Sequence, residues 1–152
     1  MKLYFILLPV ILLVALLQAS FLPVFGIYID FVLIFVLLIV YNTPSTFGTN
    51  FSFLSGLLVD LIGSLRFGLF TFMYTLFSIV SYFILNTFGK KLVNLVLLVF
   101  VFSILERIFL RNYGDFWDIF LESLFSSLMS LILFPVACFL CEKFGGFKKK
   151  LV

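Results

Sequence analysis

The sequence contains no histidine, two cysteines and few charged residues of either sign. Without histidine the chain lacks the commonest metal ligand and the usual acid–base group of neutral pH. Cys138 and Cys141 form a C-x-x-C pair, but a redox motif needs a βαβ pattern and a zinc site needs two further ligands. We interpret both as small apolar residues on one helix face, and we expect no metal, no cofactor and no disulfide framework.

Charged residues make up 11% of the chain and hydrophobic residues 64%, with a mean hydropathy of +1.34. A water-soluble domain carries about a quarter charged residues, so the composition predicts an all-α integral membrane protein. The 24 phenylalanines are interpreted as lipid-facing and packing residues. We expect one transmembrane domain over residues 1–152, in contact with membrane lipid and with no nucleic-acid partner.

Apolar runs separated by turn residues predict a bundle of six transmembrane helices. Pro44 and the glycines at 89 and 114 mark three of the turns. The helices are predicted at about residues 3–24, 27–41, 47–64, 67–88, 92–111 and 116–144.

The third helix is the shortest candidate span, since 18 residues reach only about 27 Å, and a re-entrant hairpin is the alternative. Lysine and arginine collect in cytoplasmic loops. Six spans place both termini in the cytoplasm and gather one set of lysines there, namely Lys2, Lys90, Lys91, Lys143, Lys148, Lys149 and Lys150, whereas Arg66 and Arg111 fall on the opposite side. This bias favours six full spans.

Asp60 lies in the third helix among apolar neighbours. Gly56 and Gly63 fall four residues before it and three residues after it, which places all three on one helix face. Small residues allow a second helix backbone to come close, so Asp60 is expected to bond across that contact. Gly68 is expected to begin the fourth helix after a tight turn. The stripe is either the central seam of the bundle or a site for a partner.

Two further helices carry polar stripes. The fourth has Thr71, Thr75, Ser78, Tyr82 and Asn86 at helical spacing, and we expect this stripe inside the bundle. Four serines line one face of the sixth helix, at positions 123, 126, 127 and 130. Close helix packing is expected for the serines, and docking of a partner's membrane helix is the alternative.

Charged residues of both signs flank the turn between the fifth and sixth helices. Arg107 and Arg111 share a face of the fifth helix, and Asp115, Asp118 and Glu122 follow the turn. Antiparallel packing predicts an ion-pair network near the outer leaflet, whereas a solvated acidic helix start is the alternative. Glu106 and Arg107 are adjacent and point apart, so they are not expected to pair with each other.

Residues 53–68, FLSGLLVDLIGSLRFG, resemble the G-x-x-x-D…G signature of the MreD family of rod-shape-determining membrane proteins. LLQAS at 16–20 is similar to the end of the family's first helix. IDFV at 29–32 is similar to the start of its second helix, without the family's proline. The resemblance covers about residues 13–90, and the last two helices match only in being apolar.

The resemblance implies a non-catalytic scaffold of the bacterial inner membrane. Such a scaffold binds the transmembrane helix of the bitopic protein MreC and works with the filament protein MreB and the synthases of lateral peptidoglycan. The residues expected to form its core seam or partner site are Gly56, Asp60, Gly63 and Gly68, with Arg66 and Asp30 close by.

The family's fold is thought to be similar to the substrate-binding subunits of energy-coupling vitamin transporters. A vitamin-binding subunit is therefore the alternative function. Its pocket would be lined by the polar stripe of the fourth helix and by Arg107 and Arg111. An enzyme is not expected, because no nucleophile with a base is visible.

Overall fold

The computed structural model describes residues 2–25, 30–63, 68–110 and 116–145. Within these ranges the chain is all-helical, as its composition predicts, and contains no strand. The helices are α1 (Lys2–Phe25), α2 (Phe31–Asn42), α3 (Ser45–Gly63), α4 (Leu69–Phe88), α5 (Leu92–Leu110) and α6 (Phe116–Gly145).

Three helices are long and apolar enough to cross a membrane. Their spanning segments are Leu69–Phe88, Leu92–Phe109 and Trp117–Lys143. Shorter apolar helical segments occur at Ile6–Gln18 and Phe31–Asn42. The structure therefore supports a membrane protein, with α4, α5 and α6 as its clearest transmembrane elements.

Helix α2 is the centre of the bundle. It contacts each of the other five helices, and its nine consecutive residues 32–40 are all buried. A helix that is hydrophobic on every side is stable only where apolar material surrounds it. Here that material is protein, so α2 is the axis around which the other helices pack.

The lipid-facing surface is formed by the surrounding helices. Large apolar side chains are exposed on α1, α3, α4, α5 and α6, with Phe83 of α4 at 73% the most exposed of them. A water-soluble monomer does not expose apolar surface on this scale. Hydrocarbon is the solvent that these faces suit.

Asp30, with which the second helix is predicted to open, is the N-cap of α2. Its side chain accepts a hydrogen bond from the backbone N–H of Leu33. Aspartate is among the preferred residues at this position because its carboxylate satisfies an otherwise unpaired helix N–H. Residues 26–29 lie outside the described ranges.

At the opposite end, α2 is joined to the turn between α4 and α5. The Tyr41 hydroxyl donates to the backbone carbonyl of Lys90 at 2.5 Å, and the Lys90 ammonium donates to the Tyr41 carbonyl at 3.2 Å. Cys138 of α6 contacts the Asn42 side chain at 3.3 Å. The C-terminal end of α2, the α4–α5 turn and the second half of α6 therefore lie at one end of the bundle.

Candidate functional site: a buried polar layer

Asp60 is the hydrogen-bond acceptor that joins α3 to the start of α4. One carboxylate oxygen accepts from the backbone N–H of Phe70 at 3.1 Å. The other accepts from the backbone N–H of Thr71 at 2.9 Å and from the Thr71 hydroxyl at 2.5 Å. The first turn of a helix has unpaired N–H groups, and a carboxylate is also favoured there by the helix dipole. Asp60 thus caps α4 from a neighbouring helix and is only 4% exposed.

Gly56 lies one turn before Asp60, where the α4 backbone comes closest to α3. A Cβ at this position would lie 2.5 Å from the Cα of Thr71 and 2.7 Å from the carbonyl oxygen of Phe70. Only a residue without a side chain allows that approach. Gly56 and Asp60 therefore contact the same two residues of α4. The helix face that carries them is occupied by α4 of the same chain.

Gly68 begins α4 with a left-handed backbone conformation, at φ 94°. Glycine adopts this region without the steric cost that a Cβ introduces. Gly63 ends α3, and its surroundings lie outside the described residues, as does Arg66. The structure thus places Gly56, Asp60 and Gly68 around one helix–helix junction.

The polar stripe of α4 is directed towards α3 and the turn that precedes it. One turn after Thr71, the Thr75 hydroxyl donates to the Thr71 carbonyl at 2.7 Å. Ser78 contacts the Thr49 hydroxyl of α3 at 3.5 Å. Tyr82 donates to the carbonyl of Pro44 at 3.0 Å and lies 3.4 Å from the Thr43 hydroxyl. These hydroxyls bond to protein groups of the same hairpin or its turn. Asn86, the last member of the predicted stripe, is exposed near the end of α4 and does not lie inside the bundle.

Polar groups of three helices, α2, α4 and α5, lie against the Asp30 carboxyl group. Its first carboxylate oxygen is occupied by the Leu33 N–H at 2.9 Å, and its second accepts from the Tyr74 hydroxyl of α4 at 2.8 Å. The carboxyl group of Glu106, on α5, lies within hydrogen-bonding range of the Asp30 side chain. Asp30 and Glu106 are both more than nine-tenths buried.

Arg107 and Glu122 form a buried ion pair between α5 and α6. This is the part of the expected ion-pair network that the structure brings together. Asp118 is exposed at the start of α6, where it suits the helix dipole. Arg111 and Asp115 lie outside the described residues. Glu106 and Arg107 point to different partners, because adjacent positions on a helix do not share a face.

The serines of α6 are buried within the bundle and are therefore closed to a partner helix. Ser126 and Ser130 donate to backbone carbonyls of their own helix, at 2.9 Å and 2.6 Å. Ser127 does the same, and Ser123 is fully buried. Cys138 and Cys141 are buried free thiols. Both sets of small side chains pack α6 against the other helices.

The buried ionisable groups lie at a common depth. Counting at 1.5 Å per helical residue, Asp30 is about 18 Å from the Asn42 end of α2. Glu106 is about 21 Å from the start of α5, and Tyr74 about 21 Å from the end of α4. Asp60 is about 22 Å from the start of α3. These groups form a polar layer, which we define as Asp30, Asp60, Tyr74, Glu106, Arg107 and Glu122.

The sequence pattern does not indicate the Asp30–Tyr74–Glu106 part of this layer. It connects Asp30 to a site only through a family resemblance, and it relates Glu106 only to the neighbouring Arg107. The missing signal was depth: each acid stands twelve to fourteen residues from the end of its helix nearest the α4–α5 turn. Two acids at one depth in a small bundle are candidates for contact, whatever their separation in sequence.

No group of three or more histidine, cysteine, aspartate or glutamate side chains suited to a metal occurs among the described residues. The comparisons with known proteins were also negative. No family model matches the chain, and neither a curated protein nor a solved structure is significantly similar to it.

Proposed function

We propose that this protein is a non-catalytic membrane scaffold of a rod-shape complex, in which it binds the transmembrane helix of an MreC-like partner and helps to organise lateral peptidoglycan synthesis. In this proposal the chain resides in the bacterial inner membrane. It crosses that membrane six times, with both termini in the cytoplasm.

The observation that carries the proposal is how the buried polar groups are used. Asp60 caps α4, and the hydroxyls of the α4 stripe bond to α3, to its preceding turn or to α4 itself. A small-molecule site presents a few convergent polar groups to its ligand. Here those groups fix one helix against another, which suits a protein whose task is to hold a shape.

The residues that resemble the family signature support the same proposal. Gly56 permits the close approach of α4, Asp60 caps it and Gly68 supplies the backbone turn that begins it. Together they fix the position of α4. The outward face of α4 carries exposed apolar side chains at helical spacing, namely Phe72, Leu76, Ile79 and Phe83, and it is our proposed surface for the partner's helix.

The ends of the helices support six crossings. Tyr41, at the end of α2, bonds to Lys90 between α4 and α5. Asn42 contacts Cys138 in the second half of α6. Helices that run alternately up and down place these three segments at one end of the bundle. The lysines at positions 90, 91 and 143 belong to that end, which is the pattern of a cytoplasmic face.

The proposal is tested by photocrosslinking in rod-shaped cells that depend on this protein. A photoreactive phenylalanine analogue at Phe72 or Phe83 is expected to capture the MreC-like protein. The same analogue at Phe139, which is exposed on α6, serves as the lipid-facing control. Equal capture from all three positions, or none from any, contradicts the proposed surface.

The Asp60→Leu variant tests the wider role. It is expected to cause loss of rod shape and reduced co-purification of the MreC-like protein, whereas Asp118→Leu, at an exposed site, keeps both. Normal shape and normal co-purification in Asp60→Leu cells count against the scaffold. Native mass spectrometry that finds a bound vitamin on the purified protein instead supports the transporter alternative.

A further inference from the structure

The contact between Asp30 and Glu106 has a chemical requirement of its own. Both side chains are buried, at 8% and 5% exposure, and their carboxyl groups lie within hydrogen-bonding range. Two ionised carboxylates are acceptors only, so they cannot bond to each other. Like charges at such a distance also prevent both groups from ionising together. The contact therefore requires one proton.

The hydrogen bonds around Asp30 indicate which carboxyl group carries that proton. Each Asp30 oxygen already accepts a hydrogen bond, one from the Leu33 N–H and one from the Tyr74 hydroxyl. A hydroxyl donates only one proton, so Tyr74 is fully used by Asp30. Both Asp30 oxygens therefore act as acceptors, and Glu106 is the remaining donor.

Two buried serines provide a second, independent observation. Ser103 precedes Glu106 by one turn on the same face of α5, and its hydroxyl has no hydrogen-bond partner among the described residues. Ser123 of α6 is likewise buried and without a partner in that part of the chain. The Arg107–Glu122 pair sets the register of the two helices, which places Ser123 at the level of Glu106. Unsatisfied buried hydroxyls of this kind are where internal water binds.

The other charged groups near Asp30 and Glu106 each have a hydrogen-bond or ion-pair partner of their own. From α3, Asp60 is bonded to the start of α4. From α6, Glu122 is paired with Arg107 of α5. The described side chains of α1, residues 6–18, include no titratable group. Arg107 is the cation among these groups, and its charge also acts on Glu106. Its ion pair with Glu122 offsets that charge, so no surplus positive charge neutralises Asp30 and Glu106 together.

We propose that Asp30 and Glu106 form a one-proton site inside the bundle, at the level of the polar layer, with water on Ser103 and Ser123 as the polar surroundings of the proton. The proton joins the start of α2 to α5. Its removal places two negative charges in contact and breaks that link. The site is independent of the proposed scaffold function, because it requires no partner protein.

Infrared spectroscopy of the full chain in detergent detects the proton directly. At about pH 6, above the pKa of a free glutamate side chain, the wild type is expected to show the carbonyl band of a protonated carboxylic acid. Glu106→Gln removes the band, because its amide can donate to Asp30 without a titrating proton. Glu142→Gln, at an exposed site, keeps it. Absence of the band from the wild type, or its persistence in Glu106→Gln, overturns the proposal.

The pH dependence of unfolding is a second readout that needs only the wild type. The folded state keeps the proton at a pH where the unfolded chain has released it, so stability falls as the pH rises. The unfolding constant in mixed detergent and dodecyl sulfate micelles is expected to rise about tenfold per pH unit above about pH 5, until the folded protein also releases the proton. A flat profile overturns the proposal.

A small cation is the rival occupant, and the same preparations distinguish it from a proton. Sodium or potassium chloride, compared with choline chloride at equal ionic strength, is expected to leave the infrared band and the resistance to dodecyl sulfate unchanged. Loss of the band together with greater resistance in sodium or potassium shows a cation site in place of the proton site.

Discussion

Asp60 of α3 holds both the backbone N–H and the hydroxyl of Thr71 at the start of α4. The two residues are eleven positions apart, with the whole α3–α4 turn between them. A carboxylate that would be costly in a lipid environment therefore satisfies N–H groups that would be equally costly if left unpaired. The carboxylate and the N–H groups are therefore tolerated in the bundle because they bond to each other.

The first prediction concerns this cap. Asp60→Ala is expected to destabilise the bundle by about 1–3 kcal/mol, because it leaves part-buried donors of Phe70 and Thr71 without an acceptor. Asp60→Asn retains one carbonyl oxygen and is expected to lose about half as much. Unfolding in mixed micelles measures both, with Asp118→Asn as the exposed control. Equal stability of Asp60→Ala and the control contradicts the cap.

The second prediction separates the two glycines of the α3–α4 junction. Gly56→Ala places a Cβ 2.5 Å from a backbone atom and is expected to cost about 1–3 kcal/mol through steric overlap. Gly68→Ala meets no atom within 4 Å, but its left-handed backbone costs about 1–2 kcal/mol for an ordinary residue. Asparagine tolerates that conformation better than alanine does.

Substitution by asparagine is therefore the discriminating measurement. Gly68→Asn is expected to be more stable than Gly68→Ala, whereas Gly56→Asn is less stable than Gly56→Ala because it adds bulk to a closed contact. The same order at both positions shows that one of the two explanations is wrong.

The sequence predicted the helices well and their arrangement poorly. The observed bounds of α5, Leu92–Leu110, lie close to the predicted 92–111, because polar turn residues interrupt apolar runs clearly. The central position of α2 was not predicted. Lipid and protein interior are equally apolar, so hydropathy does not show whether residues 32–40 face one or the other.

In the polar layer, too, contacts that depend on spacing within one helix are predicted and contacts that depend on helix packing are not. Spacing along one helix placed Gly56 and Asp60 on a common face, and the structure brings both to α4. The contact of Asp30 with Glu106 joins residues 76 positions apart, and it depends on how α2, α4 and α5 pack together. Periodicity within a single helix carries no information about such a contact.

The third prediction concerns the buried ion pair between α5 and α6. Arg107→Met leaves Glu122 as an uncompensated buried charge and is expected to cost about 3–5 kcal/mol. The double variant Arg107→Met with Glu122→Leu removes both charges and is expected to recover most of that loss. A double-mutant cycle of unfolding free energies measures the coupling. Additive losses contradict a direct pair.

The fourth prediction concerns Lys90 in the turn between α4 and α5. Partial burial lowers the pKa of the Lys90 ammonium, because removal from water disfavours the charged form. Competitive acetylation is therefore expected to show Lys90 losing its proton below about pH 10.4, the value of a free lysine side chain. Lysine in an unstructured reference peptide is the control. A titration midpoint at or above that of the peptide contradicts the prediction.

The sign of the resulting pH effect on stability follows from linkage. Because the unfolded chain holds the Lys90 proton to a higher pH than the folded chain does, the contribution of this group to stability rises with pH through that interval. Lys90→Met is expected to remove this alkaline increment, and Lys143→Met, at an exposed site near the end of α6, serves as the matched control. An increment unchanged in Lys90→Met assigns it to another group.

The fifth prediction concerns the six crossings. Single cysteines are introduced into a background in which Cys138 and Cys141 are replaced by alanine, so that every thiol that reacts is a new one. Trp117→Cys, at the exposed start of α6, is expected to react with an impermeant maleimide in intact spheroplasts. Lys91→Cys, in the exposed α4–α5 turn, is expected to react only after the membrane is permeabilised. Helix α5 alone lies between these two positions, so six crossings place them on opposite sides of the membrane.

Thr46 decides whether α3 spans. It is exposed near the start of α3, and six crossings place it on the same side as Lys91, so Thr46→Cys is expected to require permeabilisation. If α3 entered and left the membrane on one side, Thr46 and Gly68 would share a side, because α3 and its turn are all that separate them. Reaction of both Thr46→Cys and Gly68→Cys in intact spheroplasts excludes the six-span arrangement. Reaction of Gly68→Cys alone places the junction held by Asp60 near the outer surface.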